Sequence, residues 1–296
     1  MVIVTGSSGF IGSAITKSLG NQAIPISQSV KNAPNGYRLD LTNQEQVAKL
    51  ISSIKNQTIS HLIHCAATAP WQKDPDFSLD LKMAKNVAEI CTELQIENLI
   101  FVSGWVVYDV KAKTPITETS RLAPSTPYGK SKLAAENYFK KTLPQTTVLN
   151  LRLASVYGPG QSASGLIPNL VKAALSKGVI SINSLQTKRD YLYIDDLIKI
   201  IAAALVLKIE DNLDINIGSG HSVDVQQVAE FTKDIFFAEL HKDIEVRVNQ
   251  PISESVPIDN ELSIAMAKKL KLITNTTNLK VGLKQYIKWV YYADLF

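Results

Sequence analysis

Thr5-Gly6-Ser7-Ser8-Gly9-Phe10-Ile11-Gly12 follows directly on the apolar run Val2, Ile3, Val4 and leads directly into the helix-like run Ser13 to Leu19. So tight a turn from strand into helix needs backbone without a Cβ in the way, and the glycines at 6, 9 and 12 supply it. The helix that follows presents unpaired amides and the positive end of its dipole, which suits an anion. The segment reads as a nucleotide-phosphate loop, with Gly6, Ser8, Gly9, Phe10, Ile11 and Gly12 as its candidate contacts. A glycine pattern alone also fits a tight turn without ligand, and the strand in front of it favours the loop.

Outward from this loop, short apolar strands alternate with helical stretches. The strands are Val2 to Val4, Ala23 to Ile26, His61 to His64, Leu99 to Val102 and Thr147 to Leu153. Between them, Gln44 to Ile54 puts Val47, Leu50, Ile51 and Ile54 on one helical face, and Leu79 to Leu94 does the same with Met83, Val87, Ile90 and Leu94. This alternation predicts an α/β fold, a Rossmann-type doubly wound parallel sheet. After Gly158 the rhythm changes: turn residues cluster, then come a helix near Leu166 to Ser176 and a strand at Tyr191 to Ile194. Residues 1–157 are expected to form the dinucleotide-binding domain, with about 180–220 returning to it. Residues 158–296 are expected to form mainly a smaller C-terminal substrate-binding lobe.

The formal charge of +4 is mild and evenly spread, which argues against nucleic acid as partner. Apolar runs such as Leu197 to Leu207 are interrupted by Lys199 and too short for a bilayer, so no membrane segment is expected. A first strand at residue 2 leaves no room for a cleavable leader, and with only two cysteines a reducing cytoplasm is the expected location. Cys65 and Cys91 read as small core residues. The four histidines are scattered, and no metal site is expected.

The second informative segment is Thr126 to Glu136, T-P-Y-G-K-S-K-L-A-A-E. Thr126 suits a helix cap and Pro127 the first helical position, which places Tyr128 and Lys132 on one face. A free phenol ionises near pH ~10 and is a poor base at neutral pH, but an adjacent ammonium favours its charged form. The spacing alone also fits an incidental surface pair. Joined to a dinucleotide loop, it points to acid–base chemistry.

With these two segments the chain resembles the extended short-chain dehydrogenase/reductase family, the NAD(P)-dependent nucleotide-sugar epimerases, dehydratases and reductases. The resemblance continues in Asp40-Leu41, in H-C-A-A at His64 to Ala67 and in V-S-G-W-V-V-Y from Val102 to Tyr108. It runs on through L-R-L-A-S-V-Y-G-P-G from Leu151 to Gly160, K-R-D-Y-L-Y-I-D-D from Lys188 to Asp196 and N-I-G-S-G from Asn216 to Gly220. It implies hydride transfer between a sugar carbon and nicotinamide, with Tyr128 as acid or base. Lys132 would hold the nicotinamide ribose, Asp40 and Leu41 would meet the adenine, and Ala66 would line the cofactor channel. Arg189 would grip the substrate's diphosphate, for which a guanidinium is well shaped; read without the family, a surface arginine paired with Asp190 fits equally well. Asp195 and Asp196 read as helix caps. The family also raises a homodimer through the helices near 79–94 and 128–141.

Several positions depart from the family pattern. Where relatives carry the catalytic serine or threonine this chain has Gly104, with Ser103 one residue earlier. A one-residue offset ordinarily turns a strand side chain to the other face. Either Ser103 still reaches the substrate, or Thr126, a substrate hydroxyl or a water takes the place. Asp80 and Ser155 stand where asparagines are usual, and Trp105 is a candidate wall of the substrate pocket or a packing residue. The second strand closes with Ser27, Gln28 and Ser29, followed by Lys31, instead of with an acid. Such a set does not repel a 2′-phosphate, so NADP is the expected cofactor, with NAD as the alternative. The expected function is reduction of a keto group on a nucleotide-activated deoxysugar, in polysaccharide biosynthesis. A nucleotide-sugar epimerase and a non-catalytic NAD(P)-binding sensor or scaffold are the alternatives.

Overall fold

The computed structural model describes residues 1–29, 35–161, 164–182, 187–249 and 259–293. The chain folds into two compact units, and both are discontinuous. The first comprises Met1–Asp109, Glu118–Leu153 and Ile200–Asn216; the second comprises Val110–Thr117, Ala154–Lys199 and Ile217–Phe296. The chain thus leaves the first unit at Leu153, where the sequence suggested 157, and the returning segment is 200–216, shorter than the expected 180–220.

The first unit is built on β1 (Val2–Thr5), β2 (Ala23–Ser27), β3 (Tyr37–Arg38), β4 (His61–His64), β5 (Asn98–Gly104) and β6 (Thr147–Leu153). With a later strand, β10 (Leu213–Ile217), they form one sheet in the order β10-β6-β5-β4-β1-β2-β3. The pairs from β3 through β6 are parallel. β1 is buried at every residue, as expected of a parallel strand covered on both faces. The order reverses between β1 and β4, the switch point at which such sheets bind ligands beyond the carboxyl ends of their strands.

The helices of this unit are α1 (Phe10–Leu19), α2 (Gln44–Ile54), α3 (Ser78–Glu93) and α4 (Pro127–Thr142). α2 starts where the Asn43 side chain accepts from the amide of Gln46, and it buries Val47, Leu50 and Ile54. Those side chains join Val87 and Ile90 of α3 and Ile3, Leu62 and Leu99 of the sheet in one apolar core. Truncating any of these buried side chains to alanine is expected to cost about 2–5 kcal/mol.

In the second unit, β7 (Ser155–Tyr157), β9 (Lys188–Tyr193) and β11 (Ser222–Asp224) form one small sheet, and β8 (Val179–Ile182) pairs with β12 (Glu245–Val248). Helices α5 (Leu166–Lys177), α7 (Val225–Leu240), α8 (Ala265–Lys269) and α9 (Leu279–Tyr292) belong to this unit, and α6 (Ile194–Ala204) carries the chain back to the first. No helix among the described residues is long and apolar enough to cross a membrane.

Candidate active site

β1 ends at Thr5, and the chain turns at Gly6 with φ +65°. A Cβ on Gly6 would lie 2.7 Å from the amide nitrogen of Ala66, and one on Gly12 would lie 2.2 Å from the carbonyl oxygen of Gly6. Loop, helix and the end of β4 therefore meet backbone to backbone, which only glycine permits. α1 begins without a side-chain cap and with no acid in its first turn, so its first amides stay open to an anion. The buried hydroxyl of Ser7 has no partner among the described residues. A dinucleotide pyrophosphate fits this arrangement, with Gly6, Ser8, Gly9, Phe10, Ile11 and Gly12 around the turn.

Under the loop, the Thr5 hydroxyl accepts from the amides of Cys65 (3.2 Å) and Ala66 (3.4 Å). Its own proton then goes to Nδ1 of His64, 2.7 Å away. Burial, reinforced by the charge of Lys132, pushes His64 down to about 3. The ring is therefore neutral, accepts at Nδ1 and carries its proton on Nε2. Cys91 is fully buried in the core, while Cys65 is half-buried.

At the end of β2 the buried Ser27 hydroxyl accepts from the amide of Ser29 (3.3 Å), and the Ser29 hydroxyl donates to that of Ser8 (2.9 Å). No carboxylate closes the strand. Asp40 accepts from the amide and hydroxyl of Thr42, both at 2.8 Å. Partial burial opposes its ionisation, but hydrogen bonds from Thr42 and Gln28 and the charge of Lys82 hold it below the usual carboxylate range. Leu41 is buried, and its carbonyl accepts from Asn86 (2.6 Å). Lys31 lies outside the described residues.

α4 starts as its sequence indicates: Thr126 accepts from the amide of Gly129 at 3.0 Å and Pro127 takes the first turn. Gly129 lets this turn close on Trp105–Val107, since a Cβ there would lie 2.3 Å from the carbonyl oxygen of Val106. Tyr128 is half-buried, with its ring centre 5.9 Å from that of Phe77. Lys132 is 4% exposed and donates to the carbonyl of Val102 at 2.9 Å. Its Nζ lies 5.7 Å from the Tyr128 ring centre and 4.9 Å from that of Phe101.

Ser103 is drawn elsewhere. Its hydroxyl donates to Oε1 of Glu136 at 2.5 Å in a buried setting. Glu136 in turn binds Arg152 (2.7 Å), which also reaches Asp214 (2.7 Å) and the hydroxyl of Tyr108 (3.0 Å). The one-residue offset along β5 thus turns Ser103 into an ion network, away from the role of a free hydroxyl donor. At Gly104 a Cβ would make ordinary van der Waals contacts, 3.6 Å to Cγ2 of Val106 and 3.7 Å to the carbonyl oxygen of Leu153, so the backbone itself does not demand glycine there. Trp105, beside it, is half-buried.

Two contacts had gone unread in the sequence. Asp80 is buried and accepts from the amide of Thr68 (2.7 Å) and the hydroxyl of Ser131 (2.6 Å), which locks α3 and the loop after β4 to the helix of Tyr128. Arg152 was the other: a lone charge within the buried strand Thr147–Leu153 demands a carboxylate, and Glu136 closes the very motif that carries Tyr128.

In the second unit, Ser155 opens β7 opposite Tyr191, and Arg189 stands on β9 opposite Val223. Both are half-buried. Asp190 is directed to the turn at Ser219 and Gly220. It is buried and accepts from the amide and hydroxyl of Ser219 (2.8 and 2.7 Å) and from the amide of Gly220 (3.1 Å). Asp196 accepts from the amide of Thr277 at 2.5 Å and pairs with Lys199 at 3.2 Å.

A family model described as the NAD dependent epimerase/dehydratase family matches residues 2–218. The dTDP-4-dehydro-6-deoxyglucose reductase of Escherichia coli is 30% identical over 254 residues, 77% of this chain and 79% of that protein. An uncharacterized UDP-glucose epimerase of Bacillus subtilis (strain 168) is 27% identical over 318 residues, covering 98% of this chain and 97% of its own. The solved structure of MoeE5 in complex with UDP-glucose and NAD superposes with a TM-score of 0.85 at 24% identity, over 99% of each chain, and shows the shared fold. The chain is an enzyme of the NAD dependent epimerase/dehydratase family, within the extended short-chain dehydrogenases/reductases.

Proposed function

We propose that this enzyme reduces the keto group of a nucleotide-activated deoxysugar, with NADPH as cosubstrate and Tyr128 as general acid. The observation that carries the proposal is the end of β2, where Ser27, Gln28 and Ser29 offer hydroxyls and amide groups and no carboxylate. A carboxylate there accepts the ribose diol of NAD and repels a 2′-phosphate. A phosphorylated cofactor that binds and leaves suits net reduction, whereas an epimerase retains NAD and recycles it within each turnover. The reductase among the relatives acts, by its name, on a dTDP-linked keto-deoxysugar, and the proposal carries that substrate class to this chain.

A bound dinucleotide would supply the chemistry of hydride donation to the carbonyl carbon. Tyr128 gives its phenolic proton to the carbonyl oxygen, which leaves the product as an alcohol. Lys132 stabilises the phenolate that remains until solvent returns the proton, and it would hold the nicotinamide ribose. Gly6, Ser8, Gly9, Phe10, Ile11 and Gly12 would hold the pyrophosphate, Ser27 the adenosine ribose and Asp40 and Leu41 the adenine, and Ala66 would line the channel between. Trp105, Ser155 and Arg189 are assigned to the substrate, Arg189 to its diphosphate. Ser103 is left out of the catalytic set because its hydroxyl is committed to Glu136.

Absorbance of the nicotinamide, followed with dTDP-linked keto-deoxysugars and with NADPH and NADH in separate runs, tests the reading. Net oxidation that is faster with NADPH is the expected result. The Bacillus relative, which spans nearly the whole chain, favours the epimerase as second reading. No net oxidation, together with NAD retained in the purified protein, would decide for it.

A further inference from the structure

We infer that the second unit holds a ligand site of its own, a cavity at the start of α9 that takes a phosphate group, free or carried by a small molecule. The cavity measures about 710 Å³, and its wall runs from β11 and α7 over α8 to the segment 273–280, all within that unit. Such a volume suits a small organic ligand. The wall shares no residue with the candidate active site. Among the described residues that form it none is an acid, whereas His221, Lys268 and Lys280 stand on it.

Two independent observations point to an anion. The first is α9, whose cap Asn278 accepts from the amide of Lys280 (2.9 Å) and whose first turn carries no acid. Asn278, Leu279 and Lys280 all stand on the wall, so the cavity meets a helix start with amides that the helix itself cannot satisfy. The second is Tyr191 of β9. It is 6% exposed and forms part of the wall, and its buried hydroxyl has no partner among the described residues. Its ring meets that of Tyr157 edge to face at 6.1 Å, and Tyr157 donates to the carbonyl of Leu279 (3.3 Å), which sets Tyr191 beside the start of α9. Burial raises the Tyr191 phenol, against the charge of Arg189, so it stays protonated and is a donor without an acceptor.

A phosphate oxygen supplies that acceptor. Lys280 is already paired with Asp234 at 2.9 Å. Lys268, which pairs with no carboxylate among the described residues, is the cation left for the ligand. The carboxylates around the wall have their own donors: Asp190 the hydroxyl of Ser219, Asp196 the amide of Thr277, Glu261 the amide of Ser222. Phe231, Ile264 and Leu279 give the cavity an apolar side for the body that carries the phosphate.

Calorimetric titration of the full chain with inorganic phosphate and with glucose 1-phosphate, in the wild type, Tyr191→Phe and Lys268→Met, tests the site. Both variants should fold, since the first loses only an unpaired hydroxyl and the second changes an exposed side chain. The wild type is expected to bind at least one probe. Tyr191→Phe should weaken that binding at least about tenfold and Lys268→Met about threefold. Tighter binding of the sugar phosphate identifies an organic ligand and equal affinity the free ion, and the site stands in either case. Binding of neither probe overturns the site. So does binding that Tyr191→Phe and Lys268→Met leave unchanged, which would place the phosphate elsewhere. Should Tyr191→Phe fail to fold by circular dichroism, Lys268→Glu decides, because a carboxylate on that wall should abolish binding.

Discussion

Lys132 spends one hydrogen bond of its buried ammonium on the carbonyl of Val102, at the strand immediately before Ser103 and Gly104. That bond fixes the amine's position relative to β5, and with it the charge 5.7 Å from the Tyr128 ring. A flexible four-carbon stem is thereby held in one geometry before any ligand binds.

Tyr128→Phe is expected to lower kcat by about 10²–10⁴-fold while dinucleotide binding stays within a few-fold, because only the proton donor is lost. Lys132→Met should lower kcat and weaken dinucleotide binding together. Steady-state kinetics beside a binding titration read the two apart.

Gly12→Ala places a methyl group 2.2 Å from the Gly6 carbonyl oxygen, so the glycine turn after β1 must open. We expect a stability loss of about 1–3 kcal/mol and at least a tenfold loss of dinucleotide affinity. Chemical denaturation and titration of the same preparation check both.

Arg152→Met leaves the buried carboxylate of Glu136 without its main cation and is expected to cost about 3–5 kcal/mol. Ser103→Ala removes a charge-assisted bond to the same carboxylate and should cost about 1.5–3 kcal/mol, with kcat per folded molecule largely kept. A loss of turnover in folded Ser103→Ala would return Ser103 to the catalytic set.

His64 gives a signed pH dependence. Its folded value of about 3 lies below the ordinary 6.5, so between these limits the unfolded chain binds a proton that the folded chain refuses. Stability contributed by the neutral ring is full above pH 6.5 and falls as the medium is acidified, by up to about 1.4 kcal/mol per pH unit. In urea titrations at pH 7, 6 and 5, His64→Asn should show a shallower decline than the wild type, whatever its absolute stability.

The first half of the sheet was legible because its strands are short, apolar and separated by helices with a clear 3.6 period. β1, β2, β4, β5 and β6 fall within about three residues of their expected limits. β3 escaped notice, since two residues, Tyr37 and Arg38, carry no alternation to detect. The glycine turn after β1 and the helix that carries both Tyr128 and Lys132 were legible because backbone freedom and helical geometry are local properties. The fate of Ser103 was not, for it depends on Arg152, set beside it only by the pairing of β5 with β6, and on Glu136 of α4, which meets both.

The order in which the ribosome releases the chain gives the edge strand β10 a late and decisive place. Arg152 and Asp214 are 62 residues apart, so Arg152 emerges with Glu136 already made but with its second carboxylate still untranslated. Until Leu213–Ile217 arrives, β6 is an open edge whose unpaired amides and carbonyls invite another strand. A fragment cut at 157 would carry that edge permanently, together with a guanidinium short of one counter-charge. Expressed alone, residues 1–157 are therefore expected to self-associate, and extending them through residue 217 to be the shortest remedy.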